Sequence, residues 1–326
     1  MKIAFVGKGG SGKTTLSSLF IRHLAASGAP VVAVDADINQ HLGAALGLEE
    51  TVAAQLPAMG ERLPLIKEYL RGTNARITSA ETMIKTTPPG EGSRLLRVRE
   101  DNPVYEACAR PVELDGGAVR LMVTGPFTEA DLGVACYHSK TGAVELCLNH
   151  LVDGQSEYIV VDMTAGSDSF ASGMFTRFDI TFLVAEPTRK GISVYRQYKE
   201  YARDFGVALK VVGNKVQGQD DIDFLRTEVG DDLLVTVGHS EWVRSMEKGR
   251  SPRFELLEEG NRRSLHALQS AADATYERRD WERYTRQMVH FHLKNAGSWG
   301  NERTGADLAA QVDPGFVLGE GLVATA

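Results

Sequence analysis

The chain begins with a short apolar run, Lys2 to Val6, that leads straight into Gly7-Lys8-Gly9-Gly10-Ser11-Gly12-Lys13-Thr14 and then into a helical pattern from Leu16 to Ala26. This is a complete phosphate-binding loop in the strand–loop–helix setting that the motif requires. Its glycines let the backbone bend around an anion and turn N–H groups toward it, and the helix start adds a favourable dipole. On this reading the stretch from Gly9 through Gly10, Ser11 and Gly12 to Thr15 cradles a triphosphate. Lys13 reaches the β- and γ-phosphates, and the Thr14 hydroxyl holds Mg²⁺.

Further apolar runs follow at 30–35 (PVVAVD), 119–124 (VRLMVT), 158–162 (YIVVD), 180–185 (ITFLVA) and 209–213 (LKVVG), with a short one at 233–237. They are nearly continuous in apolar residues, as parallel strands buried on both faces are. Helical patterns at 141–152 and 191–205 alternate with them. The expected fold is therefore α/β, a doubly wound and mostly parallel sheet of about seven strands with helices on both faces. Residues 1–255 form the expected nucleotide-binding domain. Residues 50–115 are an insertion, with a helical stretch at 61–71 and a hairpin or loops near Pro88-Pro89-Gly90 and Asp115-Gly116-Gly117. Residues 256–296 read as a helical extension that packs through Leu256, Leu257, Leu265, Leu268, Trp281 and Met288. Residues 297–326 turn small and polar and are expected to be a flexible tail.

Composition narrows the function classes. A net charge of −7 over 326 residues argues against broad affinity for nucleic acid or anionic membranes. The three cysteines, Cys108, Cys136 and Cys147, make no disulfide framework, so a reducing compartment is the simpler inference. The chain starts at once with a strand, and no apolar run is long enough to span a bilayer. A cytoplasmic protein is expected.

Other site residues stand at strand ends. Asp35 and Asp37 close the second apolar run, in the crevice where α/β sheets bind ligands. Asp35 is expected near the metal shell and Asp37 as the group that positions an attacking water; the alternative is that both cap a helix beginning near Asn39. Asp162 closes the run at 158–162, where a carboxylate serves Mg²⁺, and Gly166 beyond it lets backbone approach the γ-phosphate. Asn214 and Lys215 close the run at 209–213. An Asn amide both donates to and accepts from an adenine edge, and the Lys stem can cover the ring. Gln217 stands where a guanine-selective site wants a carboxylate, which favours ATP over GTP.

Together these residues resemble the deviant-Walker ATPases of the MinD/ParA class, whose signature is a lysine after the first loop glycine, here Lys8. The resemblance covers roughly residues 1–255. It implies an ATP-sandwich homodimer in which Lys8 reaches the nucleotide of the other subunit. Catalysis would then rest on Lys8, Lys13 and Asp37. Within the class the sequence is most similar to the CooC-like nickel-insertion ATPases, through Asp35-Ala36-Asp37-Ile38-Asn39, Val161 to Gly166, Glu186-Pro187-Thr188 and Gly249-Arg250-Ser251-Pro252. The resemblance puts Pro187 beside the nucleotide. That family carries a Cys-x-Cys metal pair shared across its dimer, whereas the matching stretch here is Cys136-Tyr137-His138. Cys136 and His138 from two subunits would make a Cys₂His₂ set suited to Zn²⁺ or Ni²⁺.

The expected function is a Mg·ATP-dependent dimeric switch, a weak ATP hydrolase acting on an unidentified protein client or metal cargo. One alternative is a partitioning or positioning ATPase that binds DNA or membrane. The arginines at 244–253 and 262–286 are interleaved with acids, as on a solvated helical face. A second alternative is a small-molecule kinase or ligase whose acceptor pocket comes from the 50–115 insertion.

Overall fold

Eight strands form one sheet in the computed structural model, which describes residues 1–126, 141–164, 170 and 173–323. In chain order they are β1 (Lys2–Gly7), β2 (Val31–Ala36), β3 (Ala109–Leu114), β4 (Gly117–Val123), β5 (Tyr158–Met163), β6 (Ile180–Ala185), β7 (Leu209–Val216) and β8 (Leu233–Gly238). Across the sheet they run β8-β7-β6-β1-β5-β2-β4-β3. Every neighbouring pair is parallel except β3 with β4. The strand beyond the seven expected is β3, an antiparallel edge.

Side chains on a strand alternate between faces, so a strand covered on both sides must be apolar throughout. β1 does this with Ala4 and Val6 toward one core and Ile3 and Phe5 toward the other. On the first face pack α2 (Leu63–Arg71), α3 (Gly142–His150), α4 (Arg189–Ala202) and α5 (Gln219–Val229). On the second pack α1 (Lys13–Ala26), α6 (Glu241–Glu247) and α7 (Glu259–Tyr276). α3 is buried at every position. β3 and β4 close through Asp115-Gly116, and Gly116 has φ +102°, a conformation that favours glycine. Pro111 is tolerated in β3 because an edge strand need not donate on both sides.

The extension after residue 255 is built into the core. Leu265, Leu268 and Ala272 of α7 lie within the second apolar cluster. Gln269 reaches His23 Nε2 of α1 at 2.8 Å, and the Tyr158 hydroxyl donates to Asp273 at 3.0 Å. At the turn into α8 (Trp281–Asn295), Arg279 Nη2 meets Asp153 at 2.6 Å and its Nε meets Asp179 at 2.7 Å. Arginines on this extension pair with acids one turn away, Arg263 with Glu259 and Arg286 with Glu282.

The flexible tail expected from residue 297 is replaced, through residue 323, by short packed turns. A π turn spans Ala296–Gly300, followed by Asn301–Thr304, Leu308–Gln311 and Glu320–Val323. Leu308 and Leu318 are fully buried and pin this segment down. Among the described residues, no helix is long and apolar enough to cross a membrane.

Candidate functional site

The loop between β1 and α1 adopts left-handed backbone at Gly10 and Gly12, with φ of +83° and +92°. Gly12 is the N-cap of α1 and supplies no side-chain cap, so the first amides of the helix are left for another acceptor. Two close approaches require glycine. A Cβ on Gly7 would stand 2.6 Å from the Val184 carbonyl oxygen of β6, and one on Gly12 would stand 2.2 Å from the Asn214 amide nitrogen. The Ser11 hydroxyl is buried with no hydrogen-bond partner. A polar atom stranded beside unsatisfied amides is what an anion cradle looks like before its ligand arrives.

The carboxylates gather on one flank of this loop because β5 and β2 are the next two strands. Register places Asp35 opposite Asp162. Asp162 Oδ2 accepts from the Thr14 hydroxyl at 2.6 Å and stands 3.8 Å from Lys13 Nζ, while its Oδ1 is buried without a partner. Burial pushes the Asp162 carboxyl up to about 6, against the pull of Lys13 and the Thr14 hydrogen bond. Lys13 Nζ also meets Asp37 Oδ2 at 3.2 Å. Asp37 Oδ1 accepts from both the backbone and the side-chain amide of Asn39. The unsatisfied Oδ1, the adjoining threonine hydroxyl and the ammonium suit a magnesium-bound triphosphate, since Mg²⁺ takes one or two protein oxygens and draws the rest from phosphate and water.

Asp35, expected near the metal shell or as a cap, shows the capping contacts. Both its oxygens are taken by the turn that follows β2, Oδ1 by the Asp37 amide at 3.1 Å and Oδ2 by the Leu42 amide at 2.8 Å. It is fully buried, and burial together with Asp162 raises its carboxyl to about 7. Through the Asp37 amide it braces the turn that carries Asp37.

On the other flank, the Asn214 amide donates to the Ser11 carbonyl at 2.8 Å, and Lys215, at φ +58°, donates to the Gly10 carbonyl at 2.7 Å while pairing with Glu186. Beyond them opens a cavity of about 430 Å³, bounded by Gly12, Thr15 and Leu16 on one side and by Val237 to Ser240 and Val243 on the other. It abuts the phosphate loop and has the size and mixed lining of a base pocket. The β8–α6 half of this cavity escaped the sequence reading, although β8 ends there as β7 does. Pro187 lies in the turn after β6 and does not line the cavity. Lys8 is half-exposed on this same flank, away from the carboxylates. Lost water contact and then the neighbouring Lys190 ammonium lower its pKa, with Glu186 opposing.

Gly166, Cys136 and His138 lie outside the described residues. Cys108 and Cys147 are buried, free thiols. Among the described residues, no group of three or more His, Cys, Asp or Glu side chains is arranged to hold a metal by itself.

Comparisons with known proteins give the chain a family and relatives. Residues 3–252 match the model of the CobQ/CobB/MinD/ParA nucleotide binding domain. The chain is 30% identical over 247 residues to an uncharacterised ATP-binding protein of Methanocaldococcus jannaschii, covering 74% of this chain and 87% of that one. It is 27% identical over 274 residues to the carbon monoxide dehydrogenase accessory protein CooC of Rhodospirillum rubrum, covering 83% of this chain and 95% of that one. In fold it is similar to a chain of the MinC:MinD cell division protein complex of Aquifex aeolicus, with a TM-score of 0.53 at 17% identity over 82% of this chain and 95% of that one.

Proposed function

The chain belongs to the CobQ/CobB/MinD/ParA nucleotide-binding family and is a P-loop ATPase, and from that premise we propose that it works as a Mg·ATP-gated homodimeric switch on a protein client or metal cargo. The observation that carries this reading is the division of the loop's two lysines. Lys13 is enclosed with Asp37 and Asp162, whereas Lys8 sits on the rim beside Lys190, on the opposite flank from those carboxylates. A cation so placed serves a neighbour's phosphate more readily than its own, as an arginine finger does.

In the resting subunit Asp37 is the counter-ion of Lys13. An arriving triphosphate draws Lys13 to its own oxygens and releases the carboxylate. Asp37, still held through Asn39 and the Asp35-anchored turn, is then free to orient a water toward the γ-phosphate. Thr14 and Asp162 would hold the magnesium, which neutralises phosphate charge when bound. Asn214, Lys215 and the β8–α6 cavity would receive the base. The likeness to a carbon monoxide dehydrogenase accessory protein supports a protein client or metal cargo, and the metal binding expected of Cys136 and His138 belongs to the same proposal.

Mass measurement in solution tests it. The protein should be monomeric with ADP and dimeric with a slowly hydrolysed ATP analogue. Lys8→Ala should keep nucleotide affinity but lose dimer formation and hydrolysis. A monomer that hydrolyses ATP at the full rate, indifferent to Lys8→Ala, would overturn the reading. Elemental analysis of the dimer peak, with and without Cys136→Ala, tests the metal.

A further inference from the structure

A second polar cavity, of about 470 Å³, opens where the insertion meets the C-terminal turns. Three segments remote in sequence build it: Leu63 and Lys67 of α2, Glu81 to Lys85, and Trp299 to Thr304, with Gly142 at the start of α3 closing one side. Its apolar wall is Leu63, Met83, Ile84 and the half-buried Trp299. Trp299 is carried on the π turn Ala296–Gly300 and fixed by its indole N–H to Asn295 Oδ1 at 2.9 Å. A π turn inside a helix re-aims the side chains it carries and is frequent at functional sites.

The charge of the lining is lopsided. Lys67, Lys85 and Arg303 face the cavity against one carboxylate, Glu81, which is exposed at the rim. Lys85 has a partner behind it, Glu145, at 3.8 Å. Lys67 donates only to a backbone carbonyl, that of Glu81, at 3.3 Å, and has no carboxylate within ion-pair distance among the described residues. Arg303 makes no ion pair among the described residues; its guanidinium lies over the Trp299 ring, 5.8 Å from the centroid. Lys67 and Arg303 stand close enough that each feels the other. Burial first, and then Arg303, lower the Lys67 pKa, with the Glu81 carboxylate opposing them. Two cations at the mouth of a cavity, facing one exposed carboxylate that forms an ion pair with neither of them among the described residues, are stabilised by an anion placed between them.

We propose that this cavity binds a small organic anion, a carboxylate or phosphate held by Lys67 and Arg303 with its apolar body against Trp299. The site is separate from the nucleotide pocket: no residue lines both. The 299–304 segment completes it by folding onto residues 63–85, so it is built mainly by segments outside the phosphate loop and the sheet. A concave site of this volume suits a metabolite-sized ligand better than a flat protein surface.

The test uses the full chain saturated with Mg·ADP, so that the phosphate loop is filled. Benzoate and phenyl phosphate are titrated by calorimetry, with benzyl alcohol as the neutral control and inorganic phosphate as the control lacking an apolar body. At least one aromatic anion should bind saturably and raise the melting temperature, and the neutral control should not. Which of the two binds more tightly distinguishes carboxylate from phosphate. Arg303→Ala, an exposed position, and Lys67→Gln should each weaken binding about tenfold, roughly 1.4 kcal/mol, while leaving Mg·ADP affinity unchanged. The proposal fails if neither aromatic anion binds at millimolar concentration, if benzyl alcohol binds equally well, or if both variants bind like the parent. Inorganic phosphate binding as tightly as phenyl phosphate would remove the role given to Trp299 and overturn the organic-anion assignment.

Discussion

At the scale of single residues, Lys13 and Asp37 form the central ion pair of the candidate site. The 3.2 Å pair between them joins two side chains that are each about one-tenth exposed, so neither is freely solvated. Removing Lys13 leaves Asp37 and Asp162 facing each other and takes away the phosphate's main cation. Lys13→Ala is expected to lose nucleotide binding in a fluorescent-nucleotide titration. Asp37→Ala should do the opposite to affinity, because it frees Lys13 from a competitor. Nucleotide should bind as tightly as in the parent or more so, while turnover falls on the order of 100-fold. Normal turnover by Asp37→Ala would remove it from the mechanism. The phosphate loop was legible in the sequence because each residue type there has one physical use. Asp35 was not: a carboxylate at a strand end reads the same whether it faces a metal or caps a turn, and only the amides of Asp37 and Leu42 decide.

At the scale of elements, strand register sets an electrostatic property. β2 and β5 lie side by side with Asp35 opposite Asp162, so two carboxylates share one dry place. Their pKa values are raised to about 7 and about 6, against an ordinary 3.8. The folded protein therefore retains protons that the unfolded chain has already released. Stability from this pair is fully present below about pH 4 and is lost as pH rises from there to 7, at up to ~1.4 kcal/mol per pH unit for each proton. Urea unfolding at pH 5 and pH 7 should show the ligand-free parent losing more stability over that interval than Asp35→Asn does. Equal losses would show that the pair is not strained. The parallel strands were legible because double burial leaves unbroken apolar runs. β3 was legible only as one arm of the hairpin or loop expected near Asp115-Gly116-Gly117, because ARPVEL is an exposed edge with a proline and two opposite charges. The turns after 297 lack any period, and their buried anchors, Ala296, Leu308 and Leu318, are too far apart to read as a pattern.

At the scale of the whole molecule, the C-terminal helices and the nucleotide-binding core share one interior. Arg279 joins them, pairing with Asp153 and Asp179 while all three side chains are almost wholly buried. Arg279→Ala would leave Asp179 with only the Lys2 amide among the described residues and Asp153 with the Met1 ammonium, and denaturant unfolding should register a loss of about 3–5 kcal/mol. A loss under 1 kcal/mol would mean that the extension is an appendage. The resting latch between Lys13 and Asp37 has a consequence for how such a machine can be tuned. On the function proposed above, one carboxylate would serve as both brake and trigger, so a subunit without fuel would silence itself with the very atoms it needs to fire. Idling and firing could not then be adjusted independently by altering that side chain, and any separate control would have to arrive from elsewhere, through the proposed sister copy or cargo.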